Sequence, residues 1–164
     1  MQQTLVDFGC FIPCHECIDN AIHSASGIGL RLECNEKMKQ IGKVETGKAF
    51  ITKGYNLPSN YVIHTVGPII YDLVTEQKEK ELANCYRNSL ELAIKNEIRT
   101  IAFPCISTGE FRFPKVQASK IAISTVIGYL KKNEKYFDKI IFNIFTDEDY
   151  DIYFKNLGEE YGRI

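Results

Sequence analysis

From about residue 46 onward, apolar runs alternate with segments of helical periodicity. Residues 48–53 (KAFITK) and 61–66 (YVIHTV) are short, β-branched or aromatic, and bounded by Gly, Pro and Asn, so they predict strands. Residues 76–96 place Leu82, Cys85, Tyr86, Ser89, Leu90 and Ala93 along one stripe and predict a helix. The apolar run at 100–105 (TIAFPC) predicts a strand. A helix follows at 115–132, with Ile121, Ala122, Thr125, Val126 and Tyr129 at helical spacing. Residues 139–145 (KIIFNIF) predict another strand and 147–157 a last short helix. Nearer the start, residues 19–26 predict a helix that Asp19 caps or opens. Gly27 and Gly29 interrupt it before a second stretch at 30–39. This alternation points to α/β units on a largely parallel sheet covered on both faces. Ligands of such sheets sit at the carboxyl ends of the strands, which directs attention to the loops after Cys105 and Phe145.

Length and composition narrow the class. A chain of 164 residues fits one domain, and folding at that size buries roughly 70% of the surface of the unfolded chain. With 45% hydrophobic and 25% charged residues it is a globular sequence, and its net charge of −1 excludes a general electrostatic nucleic-acid binder. No apolar run is long enough to span a membrane, and the opening MQQTLVD lacks the basic and apolar regions of a signal peptide. The expectation is a cytoplasmic protein whose six cysteines are reduced thiols or metal ligands.

Those cysteines are unevenly placed. Residues 9–23 read GCFIPCHECIDNAIH, which crowds Cys10, Cys14, His15 and Cys17 just ahead of a helix start. Thiolates and imidazole are ligands that zinc prefers; three with an open fourth position describe a catalytic site, four a structural one. Both counts can be drawn, with or without Cys14. Buried reduced cysteines without metal also fit. The same letters contain a C-x-x-C before a helix, as in redox motifs, but a thioredoxin-like unit needs a βαβ start ahead of it. They also match the second half of the zinc deaminase signature, whose H-x-E has no counterpart before Cys14.

Other residues carry weaker signals. Asp19 and His23 are four apart on one helical face and could address a common site, although capping and packing account for each. His64 lies inside an apolar strand and reads as core. Ser107, Thr108, Gly109, Glu110 and Phe111 leave a strand and precede Pro114, a pattern that suits an anion-holding turn before a helix. Phe145 and Asp147 end the last strand, where a ring face and a carboxylate could hold an adenine. A core Phe and a helix cap fit equally.

Taken in order, GCFIPCHECIDNAIH at 9–23, YVIHTVGP at 61–68, AFPCISTGEFRFP at 102–114 and IFNIFTDEDYDIY at 141–153 resemble the zinc-dependent macrodomains. These are ADP-ribosyl hydrolases linked to sirtuin-like ADP-ribosyltransferases. The resemblance covers roughly residues 9–157, and the cysteine-histidine loop is the mark of the zinc branch. It implies Cys10, His15 and Cys17 as zinc ligands, with Cys14 at a variable position, and a catalytic role for Asp19. It implies that Ile18, Asn20 and Ser107 to Phe111 contact ligand around the ribose and diphosphate, and that Phe145 and Asp147 lie near the adenine.

The implied fold is a three-layer α/β/α macrodomain occupying residues 1–164, with a zinc loop at 9–23 and a phosphate-binding loop at 105–114. Its sheet is expected to be mixed, mostly parallel, and without the usual opening strands, because only eight residues precede Gly9. A start shortened in this way would bare a sheet edge and invite a second copy of the chain or another partner. The implied function is zinc-dependent removal of mono-ADP-ribose from a modified protein side chain. Acidic-residue linkages are expected, with a lipoyl-carrier protein as one candidate target. The alternatives are a non-catalytic binder of ADP-ribose or a related nucleotide, and a shortened interaction module.

Overall fold

Val62 and Ile63 are both fully buried, yet they belong to different cores. Neighbouring residues of a strand point to opposite faces, so this pair marks a sheet covered on both sides. In the computed structural model the structure describes residues 3–6 and 17–162. The described residues form five strands: β1 (Gln3–Val6), β2 (Ala49–Lys53), β3 (Tyr61–Thr65), β4 (Thr100–Phe103) and β5 (Lys139–Phe142). Their order is β2-β3-β1-β4-β5, with β2 antiparallel to β3 and every other pairing parallel.

The described residues also form five α-helices: α1 (Ile18–Ser26), α2 (Ile28–Ile41), α3 (Glu76–Lys95), α4 (Lys115–Asn133) and α5 (Asp147–Tyr161). The larger core lies under α3, α4 and α5. The stripe Leu82, Cys85, Tyr86, Leu90 and Ala93 of α3 meets Ile63, Ile101 and Phe103 of the sheet and Ala122 and Val126 of α4 there. A smaller core of Ile22, Leu30 and Val62 joins α1 and α2 to the other face. None of the helices among the described residues is long and apolar enough to cross a membrane.

Several elements differ from their sequence expectations. Cys17, not Asp19, is the N-cap of α1; Asp19 stands in the first turn. Gly27 takes φ +81°, a left-handed value that suits glycine, and its N–H bonds to His23 O to close α1. Gly29 is not a break but part of α2, where a Cβ would collide with the Tyr55 ring. Strand β4 stops at Phe103 and β5 at Phe142, shorter than their apolar runs.

The expectation of a sheet without an opening strand is corrected by β1. It lies between β3 and β4, where parallel partners on both sides take up its backbone groups. The strands with a single neighbour are therefore β2 and β5, and the bare edge expected from a short start does not fall at β1.

Candidate functional site

Four of the five strands, β1, β3, β4 and β5, run in one direction, so the segments that leave them gather at one edge of the sheet. Helix α1 is held at its last residue, where Ser26 Oγ donates to Gly54 O at the amino end of β3, so its N-terminus points toward the carboxyl edge. Orphan N–H groups at a helix start favour negative charge. Cys17 answers one of them, its Sγ accepting from Asn20 N at 3.4 Å. Ile18 is exposed, Asn20 is half-buried and accepts from Arg31 at 3.4 Å, and Asp19 is only 4% exposed.

The loop after β4 is built around Ser107, whose φ of +65° is unusual for a residue with a side chain. Ser107 O accepts from Phe113 N at 2.9 Å, Gly109 O from Arg112 N at 2.9 Å, and Cys105 O from Thr108 Oγ1 at 3.2 Å. Phe111 O accepts from Ile70 N at 2.9 Å, which ties the loop to the segment leaving β3. A Cβ on Gly67 would collide with Ser107 Oγ, so the two segments press together where only glycine fits. Ser107 Oγ is buried without a hydrogen-bond partner among the described residues. Gly109 and Glu110 are exposed, and a Cβ on Gly109 would meet nothing within 4 Å. The loop therefore presents small residues on a braced frame, as anion-holding turns do.

Beyond β5, Phe145 is 97% exposed, which excludes the core reading for it. Asp147 is exposed in the first turn of α5, and the cap of that helix is Thr146, accepting from Asp149 N at 3.1 Å. An aromatic ring left bare at the carboxyl edge of the sheet can stack on a flat ligand.

Behind Asp19 lies a buried polar cluster. His23 Nε2 is 3.4 Å from Asp19 Oδ1. His64, on β3, stacks on Phe50 with centroids 4.6 Å apart, and its Nε2 is 2.9 Å from Thr52 Oγ1 and 3.8 Å from Cys34 Sγ. Burial, then the neighbouring His23 and Lys37, lowers the His64 pKa to about 3 and keeps the ring neutral. Burial, then Asp19 and Glu33, pushes the Cys34 thiol up to about 12. His23, Cys34 and His64 each offer an atom within 4.8 Å of the others, and this trio could hold a metal ion.

The structure thus gathers Asp19, Ile18, Asn20, Ser107 to Phe111, Phe145 and Asp147 on elements that open at one edge. Cys10, Cys14 and His15 lie outside the described residues; of the expected zinc ligands, Cys17 is described and is half-buried. The trio has no signature in the sequence. The sequence points to a core place for His64, which its burial supports, and carries no local signal around Cys34. The members of the trio sit on α1, α2 and β3, far apart in sequence, so no local spacing joins them.

Comparison with known proteins adds a second line. The family model for the Macro domain matches residues 9–122. The chain is 49% identical over 142 residues to ADP-ribose glycohydrolase MACROD2 of Xenopus laevis, which covers 87% of this chain and 33% of that protein. It is 48% identical over 147 residues to the protein-ADP-ribose hydrolase of Staphylococcus aureus strain MSSA476, covering 88% of this chain and 55% of the relative. The chain therefore spans a third to just over half the length of these relatives. Among solved structures, the Oceanobacillus iheyensis macrodomain with ADP superposes with a TM-score of 0.85 at 36% identity, over 98% of this chain and 85% of that one.

Proposed function

Because the chain belongs to the Macro domain family, we propose that it is a hydrolase that removes mono-ADP-ribose from modified protein side chains. The observation that carries this reading is the 48% identity to a protein-ADP-ribose hydrolase over most of this chain, joined to a buried carboxylate, Asp19, at the edge that carries the Ser107 loop. The reading treats residues 1–164 as one macrodomain unit, and its preferred substrates are acidic-residue linkages, with a lipoyl-carrier protein as one candidate.

In this reading each part of the edge has a task. The turn from Ser107 to Phe111 takes the diphosphate, its backbone held by the bonds to Phe113, Arg112 and Ile70. The bare Phe145 ring lies against the adenine, and Asp147 stands beside it. Ile18 and Asn20 flank the distal ribose. Asp19 accepts a hydrogen bond from a water and takes its proton as the water oxygen bonds to the anomeric carbon of the ribose and the bond from that carbon to the side-chain carboxylate breaks. The leaving carboxylate needs no proton near neutral pH.

Zinc would be held by Cys10, His15 and Cys17. Cys17 fits that role as a half-buried sulfur at a helix N-terminus, an acceptor that already takes a backbone N–H from Asn20. When bound, such an ion supplies Lewis-acid polarisation of an oxygen.

The test is Asp19→Asn. The substitution keeps the volume and the hydrogen-bonding reach and removes the base. Release of ADP-ribose should fall by about 100-fold, with ADP-ribose affinity, measured by calorimetry, changed by less than a few-fold. A variant with unaltered release would overturn the role given to Asp19. Binding of ADP-ribose without release by the parent chain would instead identify a non-catalytic binder.

A further inference from the structure

Apart from the loop that the sequence singles out, the described residues hold one group with the donor chemistry of a metal centre: His23 on α1, Cys34 on α2 and His64 on β3. We infer that this interior trio is a zinc site of its own, distinct from Cys10, His15 and Cys17, and that its ion ties both helices to the sheet behind Asp19. This goes beyond the hydrolase reading and does not depend on it.

Four observations support it. Two imidazoles and one thiol form the borderline-to-soft set that selects zinc over calcium or magnesium. In a tetrahedral site with Zn–N near 2.0–2.1 Å and Zn–S near 2.3 Å, ligand atoms stand roughly 3.3–3.6 Å apart. Cys34 Sγ and His64 Nε2 are already at 3.8 Å, and no pair in the trio exceeds 4.8 Å. His23 is 2% exposed, and its Nδ1 has no hydrogen-bond partner among the described residues, while Nε2 faces Asp19. A carboxylate on one ring nitrogen with the other left over is how metal-bound histidines are held. Finally, Thr52 Oγ1, the other neighbour of His64 Nε2, has Val62 O within 3.5 Å as an alternative acceptor and can turn away from the ring. Cys34 is half-buried, the least enclosed of the three.

The two sites differ in ligand count, which makes them separable. The loop offers two sulfurs and one nitrogen, the interior trio one sulfur and two nitrogens. The experiment loads the 164-residue chain with zinc, measures metal per chain by mass spectrometry, and reads the ligand shell by zinc X-ray absorption. In Cys10→Ser/Cys14→Ser/Cys17→Ser, one zinc per chain with a single sulfur in its shell should remain. Adding Cys34→Ser should remove that ion while circular dichroism stays native.

A folded triple variant without zinc would overturn the inference, as would a retained ion that survives Cys34→Ser. Should the triple variant not fold, the parent chain decides. Cys34→Ser in that background must lower the zinc content by one ion per chain, and an unchanged content overturns the site. These readouts count metal and not turnover, so a failed hydrolase assay leaves them intact.

Discussion

Asp19 combines two properties that rarely coincide, near-complete burial and a place in the first turn of a helix. His23, one turn later, gives the carboxylate a fixed neighbour 3.4 Å away. A carboxylate so held keeps its direction when a substrate arrives. Phe145 is the opposite case, a large ring with almost nothing against it. Surface residues that touch little can be replaced within about 0.5 kcal/mol, so Phe145→Ala should leave the urea midpoint where it is. Losing a base-stacking ring costs about 1–3 kcal/mol, so the same variant should bind ADP-ribose roughly 10-fold more weakly by calorimetry. Unchanged affinity would remove the ring from the ligand site.

At the level of elements, the brace between the segment after β3 and the loop after β4 makes a sharp comparison possible. Gly67→Ala puts a methyl into Ser107 Oγ and 3.0 Å from Ile106 Cγ2, both near the turn that would take a diphosphate. Overpacking of this kind costs about 1–3 kcal/mol, and the displaced loop should lose ADP-ribose affinity too. Gly128, in α4, has nothing within 4 Å of its would-be Cβ. Gly128→Ala should stabilise the chain by about 0.5–1 kcal/mol with binding unaltered. Equal behaviour of the two variants in urea unfolding would contradict the bracing of the loop.

The larger core sets a reference for such numbers. Leu82 is fully buried between α3 and the sheet, and Leu82→Ala should cost about 2–5 kcal/mol. A cost below 1 kcal/mol in the same unfolding experiment would mean the stripe is not packed as described.

Elements of this kind differ in how far the sequence exposes them. Helix α3 was legible because six buried residues recur at its period and Thr75 and Asn96 close its ends. Strand β1 was not. It is a four-residue strand without a flanking Gly or Pro, and its partners β3 and β4 come more than fifty residues later. Helix starts at 18 and 147 were displaced by one residue or mis-capped because Cys17 and Thr146 took the capping role expected of the neighbouring aspartates. The site split in the same manner. The Ser107 turn announced itself through small residues before a proline, whereas His23, Cys34 and His64 meet only when two helices pack on β3.

For the whole molecule, one arrangement unites these details: a sheet with helices on both faces, whose parallel strands all discharge at the edge that carries Asp19, the Ser107 loop and Phe145. The smaller core holds α1 in place, and with it Asp19; the larger one supports the loop. Loss of metal should therefore act on function more than on fold, since the larger core contains no expected ligand.

The most direct measurement is release of ADP-ribose from a mono-ADP-ribosylated protein by this 164-residue chain, with zinc content determined on the same sample. The account predicts release that a chelator abolishes and that Cys17→Ala loses together with one zinc per chain, the ion of the loop. A folded, zinc-loaded chain that releases nothing would contradict it.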